Sequence, residues 1–360
     1  MPPGGLANIG NTCSINSLVQ CFLHVSGLRE SLLSGNLTLQ QRKEKAFIIG
    51  NELADIGRMM WLKGDNLEPR RFVHALYDAL GTGIFRPGEQ HDICELWIYL
   101  CDALLEEAGT KPGLKEWIGL SSQVIHAIAL EDRVYADMTL KAHSSWMHFN
   151  RASGGSSFHA LVQGLTVSQV QCHKCGYICH NFEPFTILPL DIPVGNANSV
   201  VPFSKCFQTM FKSEKLDEWT CDKCKEKQSA ERLVRIWKAP QVLAFSLKRF
   251  EFDARTGAMN KVRTPVEVPM DIHFLEGSIL NFQDMKMLRE KHRIQYDLRA
   301  VELHYGGVHG GHYTSMGHVG GEGDAWAFQD DINVRLITKK QAEELLSASA
   351  NAYLLLYERA

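Results

Sequence analysis

A chain of 360 residues with a formal net charge of −3, its Lys and Arg dispersed among Asp and Glu, is long enough to bury a sizeable core. It is too nearly neutral to offer a nucleic-acid surface. The stretch MPPGGLANIG has neither a basic nor an apolar signal region, and nothing later approaches the roughly 18 apolar residues of a membrane span, so a protein of the cytoplasm or nucleus, with no membrane partner, is expected.

The first element carries the most chemistry. In GLANIGNTCSINSLVQ and just beyond it, Ile15, Leu18, Val19 and Phe22 recur at helical spacing and predict a helix over residues 14–34. Asn11 and Thr12 are residues that cap helix starts, which places the Cys13 sulfur at a helix N-terminus. Free N–H groups and the macrodipole there favour a negative charge, so Cys13 is expected to lean toward thiolate. Further helices are predicted over 45–61, 68–80 and 90–108, with Cys21, Cys94 and Cys101 among apolar residues as small buried hydrophobes. Residues 109–153 read as a connecting insertion. From about residue 154 short β-rich runs take over, beginning with HALVQGLTVSQVQC and ending with AYLLLYER. Helices first and an antiparallel sheet afterwards predict an α+β fold.

Ten cysteines without a secretory signal are better read as thiols or metal ligands than as disulfides. Cys172/Cys175 and Cys221/Cys224 form two CxxC pairs in the knuckle-like settings QCHKCGY and TCDKCKEK. Two such knuckles supply four thiolates to one tetrahedral ion, which favours structural zinc (Zn2+) over a redox pair or unligated thiols. The ion would pin the tips of two hairpins, with Cys179 and His173 as bystanders.

A thiol nucleophile needs a base, and the base needs a partner that fixes its tautomer. In HYGGVHGGHYTSMGHVGGEGDAWAFQDD a strand from His312 turns through GGEGD and returns as WAFQDD; with the turn centred near Gly321, His312 falls opposite about Asp330. Taken without Cys13, these residues read rather as an ordinary strand histidine and two loop acids. Gly306, Gly307, Gly310 and Gly311 leave the backbone bare around His312, which suits a main-chain substrate or simply a flexible loop. Asn8, five residues before Cys13, can offer an amide to an oxyanion beside the Cys13 N–H.

Together these motifs resemble the ubiquitin-specific protease (USP) family of cysteine deubiquitinases, over almost the whole chain. The opening stretch is similar to GLxNxGNTCxxNSxxQ, GEQHDICELW to the acidic helix QQDAxEF, VELHYGGVHGGHYTS to HxGxxxxGHYxA, and WAFQDDINV to WxxFDDxxV. The resemblance implies a papain-like right hand, one USP catalytic domain over 1–360 with a helical thumb (about 1–153, including the insertion), zinc-pinned β fingers (154–235) and a β palm (236–360). It implies a thiol isopeptidase that hydrolyses the bond after the C-terminal glycine of ubiquitin or a ubiquitin-like modifier on conjugated proteins. The roles carried over are nucleophile for Cys13, base for His312, orienting acid for Asp330, oxyanion donor for Asn8 and a supporting role for Asp331, with Gln90, Asp92, Glu95, Gly311 and Tyr313 facing the substrate. Asp92 and Glu95 stand one helical turn apart, as a receptor for the tail's arginines or as a solvated face. Ser14, His91, Leu96 and Gln329 depart from the pattern. The competing readings are a ubiquitin-binding adaptor without activity and a papain-like protease of ordinary peptides.

Overall fold

Every residue of Cys13–His24 is buried, and the molecule is arranged around this helix, α1. The computed structural model describes residues 3–34, 48–81, 85–108, 133–150, 157–193, 199–274, 294–308, 310–320 and 324–360. The helix predicted over 14–34 is two helices, because Val25 adopts an extended backbone (φ −79°, ψ 116°) between α1 and α2, Ser26–Leu33. A carboxylate from far along the chain caps the second: the Gly27 N–H donates to Glu358 Oε1 at 2.6 Å. Next come α3, Ile49–Gly57, followed by a wider π-type turn over Arg58–Lys63, then α4, Arg70–Leu80, and α5, Ile93–Glu107. The buried Glu107 carboxylate accepts from the Ile49 and Gly50 N–H groups at 2.9 and 2.8 Å, tying the first turn of α3 to the end of α5.

The expected connecting insertion needs correcting. Residues 109–132 lie outside the described residues, but Arg133–Phe149 is a helix, α6, and Ser157–Val162 a short one, α7, where a strand was expected to begin. Met138, Ala142 and Trp146, four residues apart, form the buried stripe of α6 and pack on Leu165, Val167, Phe182 and Trp237. Exposed Val134, Leu140 and Phe149 on the same helix blur that period in the sequence.

The strands are β1 (Gly164–Cys172), β2 (Ile178–Phe185), β3 (Leu188–Asp191), β4 (Val201–Pro202), β5 (Glu214–Thr220), β6 (Lys227–Lys238), β7 (Val242–Lys248), β8 (Phe250–Asp253), β9 (Ala258–Lys261), β10 (Val266–Glu267), β11 (Asp271–Phe274), β12 (Ile294–Gly306), β13 (Gly311–Gly320), β14 (Ala325–Asp330), β15 (Asn333–Ile337) and β16 (Ala352–Arg359). Helix α8, Phe203–Met210, follows β4, and α9, Lys339–Leu346, follows β15. One sheet of four strands runs β2-β1-β6-β5; a larger one runs β15-β14-β13-β12-β16-β7-β3, with β11 beside β12. The runs VLAFSL and AYLLLY are apolar without alternation because β7 and β16 are covered on both faces. Helices α1 and α5 cover one face through Leu18, Phe22, Trp97 and Leu100. Helices α8 and α9 cover the other, through Phe203, Cys206, Ala342 and Leu346.

Helix α1 lies close against β13. A Cβ on Gly317 would sit 2.1 Å from the His24 ring, so glycine at that strand position sets the distance of approach. Cys13, at the opposite end of α1, is thereby brought to the other end of β13, where His312 stands.

Candidate active site

Cys13 opens α1 with only 2% of its surface exposed. The expected caps act differently: Thr12 occupies the N-cap position without capping, its hydroxyl accepting from the Ile9 N–H at 3.0 Å. Asn11 sits in the left-handed region (φ 53°) and donates from Nδ2 to the Gly88 carbonyl at 2.7 Å, joining the Cys13 loop to the segment before α5.

The expected lean toward thiolate is reversed. Burial pushes the Cys13 thiol above its ordinary value; the Tyr313 N–H pulls it down, the Asp331 carboxylate pushes it up, and the Ser14 and Cys13 N–H groups pull it down. The helix-end effect has the sign read from the sequence, but desolvation outweighs it. Because the Tyr313 N–H reaches the sulfur, Cys13 is next to the residue that follows His312.

His312 Nε2 and Asp330 Oδ1 are 2.6 Å apart. The two residues do not face each other across the ladder: β13 and β14 pair as Ser315↔Gln329 and Gly317↔Ala327, so the hairpin is centred one residue later than expected and the register moves by two. An even shift keeps His312 and Asp330 on one face, and the contact runs diagonally. Since Asp330 occupies Nε2, Nδ1 is the ring nitrogen left for a proton on the Cys13 side.

The left-handed φ of 51° at Asp331 breaks the strand alternation and keeps its carboxylate on the side of Asp330, with an oxygen of each and a His312 ring nitrogen within 4.8 Å of one another. The Asp331 carboxylate accepts from Asn8 Nδ2 at 3.0 Å and Asn16 Nδ2 at 2.8 Å, and its carbonyl accepts from the Leu6 N–H at 3.1 Å and Gln20 Nε2 at 2.9 Å. Asn8 Oδ1 accepts the Gly10 and Thr12 N–H groups, each at 3.2 Å, which closes the loop before Cys13. One Nδ2 hydrogen of Asn8 remains over.

The residues expected at the substrate divide. Gln90 closes two hydrogen bonds with one residue, donating from Nε2 to the Gly311 carbonyl at 2.5 Å and accepting from the Gly311 N–H at 3.0 Å. Asp92 is the N-cap of α5, its Oδ1 accepting from the Cys94 and Glu95 N–H groups at 2.8 and 3.1 Å and its Oδ2 from the Tyr353 hydroxyl at 2.5 Å. Both carboxylate oxygens of Asp92 therefore have protein partners, whereas Glu95 projects into solvent, and the pair is not one free acidic face. Asp-x-x-Glu before an apolar run is an N-terminal helix signature that the sequence already carried. The Tyr313 ring is buried against His304, centroids 4.6 Å apart, and only its backbone faces the sulfur. Gly311 is glycine for a packing reason, since a Cβ there would lie 2.3 Å from His304 Nε2, while Gly307 and Gly310 border open space.

Cys172, Cys175, Cys221 and Cys224 bring their sulfurs within 4.8 Å of one another at the tips of the β1–β2 and β5–β6 hairpins. Cys172 and Cys224 are 4.0 Å apart and Cys175 and Cys221 3.6 Å, spanning the roughly 3.8 Å edge of a tetrahedron whose metal–sulfur bonds are about 2.3 Å. Gly176 and Lys225, each directly after the second cysteine of its pair, take left-handed φ of 67° and 61° and let the knuckles turn. The donor set thus fits a structural zinc site. Cys179 and His173 stand outside the cluster, paired with Asn181 and Ser229.

The family model of ubiquitin carboxyl-terminal hydrolases matches residues 4–357. The chain belongs to this family. It is 25% identical to ubiquitin carboxyl-terminal hydrolase 4 of Saccharomyces cerevisiae strain YJM789, over 99% of this chain and 39% of that protein. Against ubiquitin carboxyl-terminal hydrolase 4 of Arabidopsis thaliana the identity is 27%, over 98% of this chain and 92% of the relative. The chain thus spans about two-fifths of the yeast relatives it matches. In three dimensions it is similar to a chain of the SAGA Ubp8/Sgf11/Sus1/Sgf73 DUB module bound to ubiquitin aldehyde, with a TM-score of 0.69 and 21% identity, covering 99% of this chain and 69% of that one. That likeness shows the mixed α+β fold.

Within this hydrolase family frame, three of the four departures from the motif pattern have structural partners, whereas the buried Ser14 hydroxyl has none among the described residues. His91 is buried against Phe85, with Nε2 3.0 Å from the Arg86 carbonyl, and Leu96 joins the core. Gln329 is buried with its Oε1 2.8 Å from His24 Nε2 and 3.4 Å from Ser315 Oγ, while the Ser315 hydroxyl donates to Gln20 Oε1 at 2.9 Å. Asn16, Gln20 and His24 recur every four residues along α1 and form a buried polar stripe against β13, Gln329 and Asp331. That spacing was the sequence signal for residues joining the two walls of the site, and the motif-based reading passes over it.

Proposed function

We propose that this chain is a thiol-dependent deubiquitinase, which hydrolyses the bond after the C-terminal glycine of ubiquitin on conjugated proteins. The observation that carries the reading is the convergence on one end of β13 of a buried thiol reached by the Tyr313 N–H and an imidazole held by Asp330 at 2.6 Å. With burial holding the thiol protonated, Nδ1 of His312 takes the proton as the sulfur attacks the glycine carbonyl, and Asp330 stabilises the imidazolium that forms. The remaining Asn8 N–H and the Cys13 N–H serve the oxyanion, with Asp331 fixing the Asn8 amide. The imidazolium protonates the leaving amine. Water, deprotonated by His312, then cleaves the thioester and restores the thiol.

Zinc at Cys172, Cys175, Cys221 and Cys224 would be structural, since four thiolates fill a tetrahedron and leave no position for substrate. It would join the two hairpins of the four-stranded sheet as a grip for the folded body of ubiquitin. Hydrolysis of a ubiquitin C-terminal coumarin amide tests the function. Turnover abolished in Cys13→Ala, with no turnover of short peptide amides, supports it; equal turnover of short peptides would return the chain to ordinary peptide hydrolysis.

A further inference from the structure

In an antiparallel ladder, alternate residues turn both their N–H and C=O to one neighbouring strand. The Gly307 N–H donates to the Gly310 carbonyl at 3.0 Å, which fixes the phase of the β12–β13 hairpin. The next pair, Gly306↔Gly311, is then a pair without mutual hydrogen bonds, and Gly311, Tyr313 and Ser315 all turn their backbone groups away from β12. Ser315 meets β14 at Gln329. Beyond it β14 ends at Asp330 and the chain bends away at Asp331, whose φ is 51°. Two outward positions of β13 are therefore left without a strand, on either side of His312. The Tyr313 N–H lies near enough the Cys13 sulfur to lower its pKa, and Gln90 takes both groups of Gly311, at 2.5 and 3.0 Å.

A carboxamide is the side chain that matches this vacancy, because it presents one donor and one acceptor side by side, as a strand would. The need for such a partner is local. Gly306, Gly307, Gly310 and Gly311 give this strand end little side-chain packing of its own, and backbone without side chains is the costliest to hold in one conformation. Gln90 itself is held from behind by the Asp92 cap of α5 and by the Asn11–Gly88 hydrogen bond, which ties its loop to the Cys13 loop.

We propose that Gln90 is a positioning residue: its carboxamide replaces the missing strand at Gly311 and so fixes the His312 imidazole relative to the Cys13 sulfur. The proposal rests on the reading of Cys13 and His312 as nucleophile and base. It gives Gln90 a role different from contact with the substrate.

The test uses the full chain and its Gln90→Ala and Gln90→Asn variants, the latter keeping the amide on a stem one methylene too short. Two rates are compared at pH 7: hydrolysis of the ubiquitin coumarin amide, and alkylation of Cys13 by iodoacetamide, which involves no ubiquitin. Both variants are expected to lose about tenfold in kcat with KM within twofold, and to lose alkylation rate by a similar factor, because a small displacement of the base slows proton removal in both reactions. The exposed position of Gln90 leaves folding intact, checked by an unchanged urea midpoint. A rise in KM with kcat and alkylation unchanged would make Gln90 a substrate contact and overturn the proposal. A rise in kcat would make it a latch and overturn it equally. If wild-type protein fails to cleave ubiquitin while alkylation still depends on Gln90, the deubiquitinase reading falls and the positioning role stands.

Discussion

His24 and Gln329 meet in the interior, where the ring's Nε2 lies 2.8 Å from Gln329 Oε1 and its Nδ1 3.0 Å from the His318 carbonyl oxygen. Burial pushes the His24 pKa down to about 4, so the ring is neutral at pH 7. Both neighbours are oxygens that accept, Gln329 Oε1 and the His318 carbonyl, so the single N–H of the neutral ring donates to one of them. The pair fastens the last turn of α1 to β14, one wall of the site to the other.

This arrangement makes the fold acid-sensitive in a defined window. The unfolded chain protonates His24 near pH 6.5, the folded chain only near pH 4, so between these values the unfolded state binds more protons and stability falls as pH falls. Buried His304, also lowered to about 4 by burial and by Lys261 and Arg263, acts in the same direction. Each site costs on the order of 3 kcal/mol by pH 4. Urea unfolding between pH 7 and pH 4.5 should show this loss, and His24→Gln should remove about half of the slope. An unchanged slope in the variant contradicts the assignment.

Gly317 sets the separation of the same two elements. In Gly317→Ala the new Cβ would lie 2.1 Å from the His24 ring, a collision that neither a buried helix nor a central strand relieves cheaply. A destabilisation of about 3 kcal/mol is expected from such overpacking. Chemical denaturation measures it, and a midpoint equal to wild type would mean that α1 does not lie against β13 as described.

A raised thiol pKa has a kinetic signature. With the Cys13 pKa above its ordinary value of 9.0, His312→Ala, which lacks the internal base, should alkylate with iodoacetamide at a rate still climbing at pH 9, later than a free cysteine. A plateau near neutral pH in that variant would show a preformed thiolate and restore the helix-end expectation.

Removing the oxyanion donor should act on the transition state alone. Asn8→Ala is expected to lower kcat about 100-fold with KM within twofold. Asp331→Ala, which frees the Asn8 amide, should add little in the double variant. Fully additive losses would separate Asp331 from Asn8.

The cysteine cluster predicts one zinc per chain by elemental analysis. Cys221→Ser should lose the metal and lower the melting temperature while Cys13 alkylation continues, because the cluster and the thiol are held by different sheets. Full zinc occupancy in that variant would contradict the four-cysteine assignment.

Much of this was legible in the sequence where a residue's chemistry depends on local spacing. The CxxC pairs fix their own turns, and the apolar period of α1 is intact from Ile15 to Phe22. What was not legible depends on a partner from elsewhere in the chain. Cys13 looks activated from its helix end alone, but it is buried, and the Tyr313 backbone group that acts on it comes from 300 residues away. Asp92 looks like an open acid until the Tyr353 hydroxyl is placed beside it. The α6 helix was missed because exposed apolar residues on its outer face hide the stripe of Met138, Ala142 and Trp146.

The most direct measurement is capture by ubiquitin carrying a C-terminal propargylamide, followed by mass spectrometry of the adduct. Wild-type protein should form a one-to-one covalent complex at Cys13, absent in Cys13→Ala and slowed by at least about tenfold in His312→Ala and Asp330→Ala. Tight binding of ubiquitin with no adduct, or an adduct formed as fast without His312 as with it, would contradict the account.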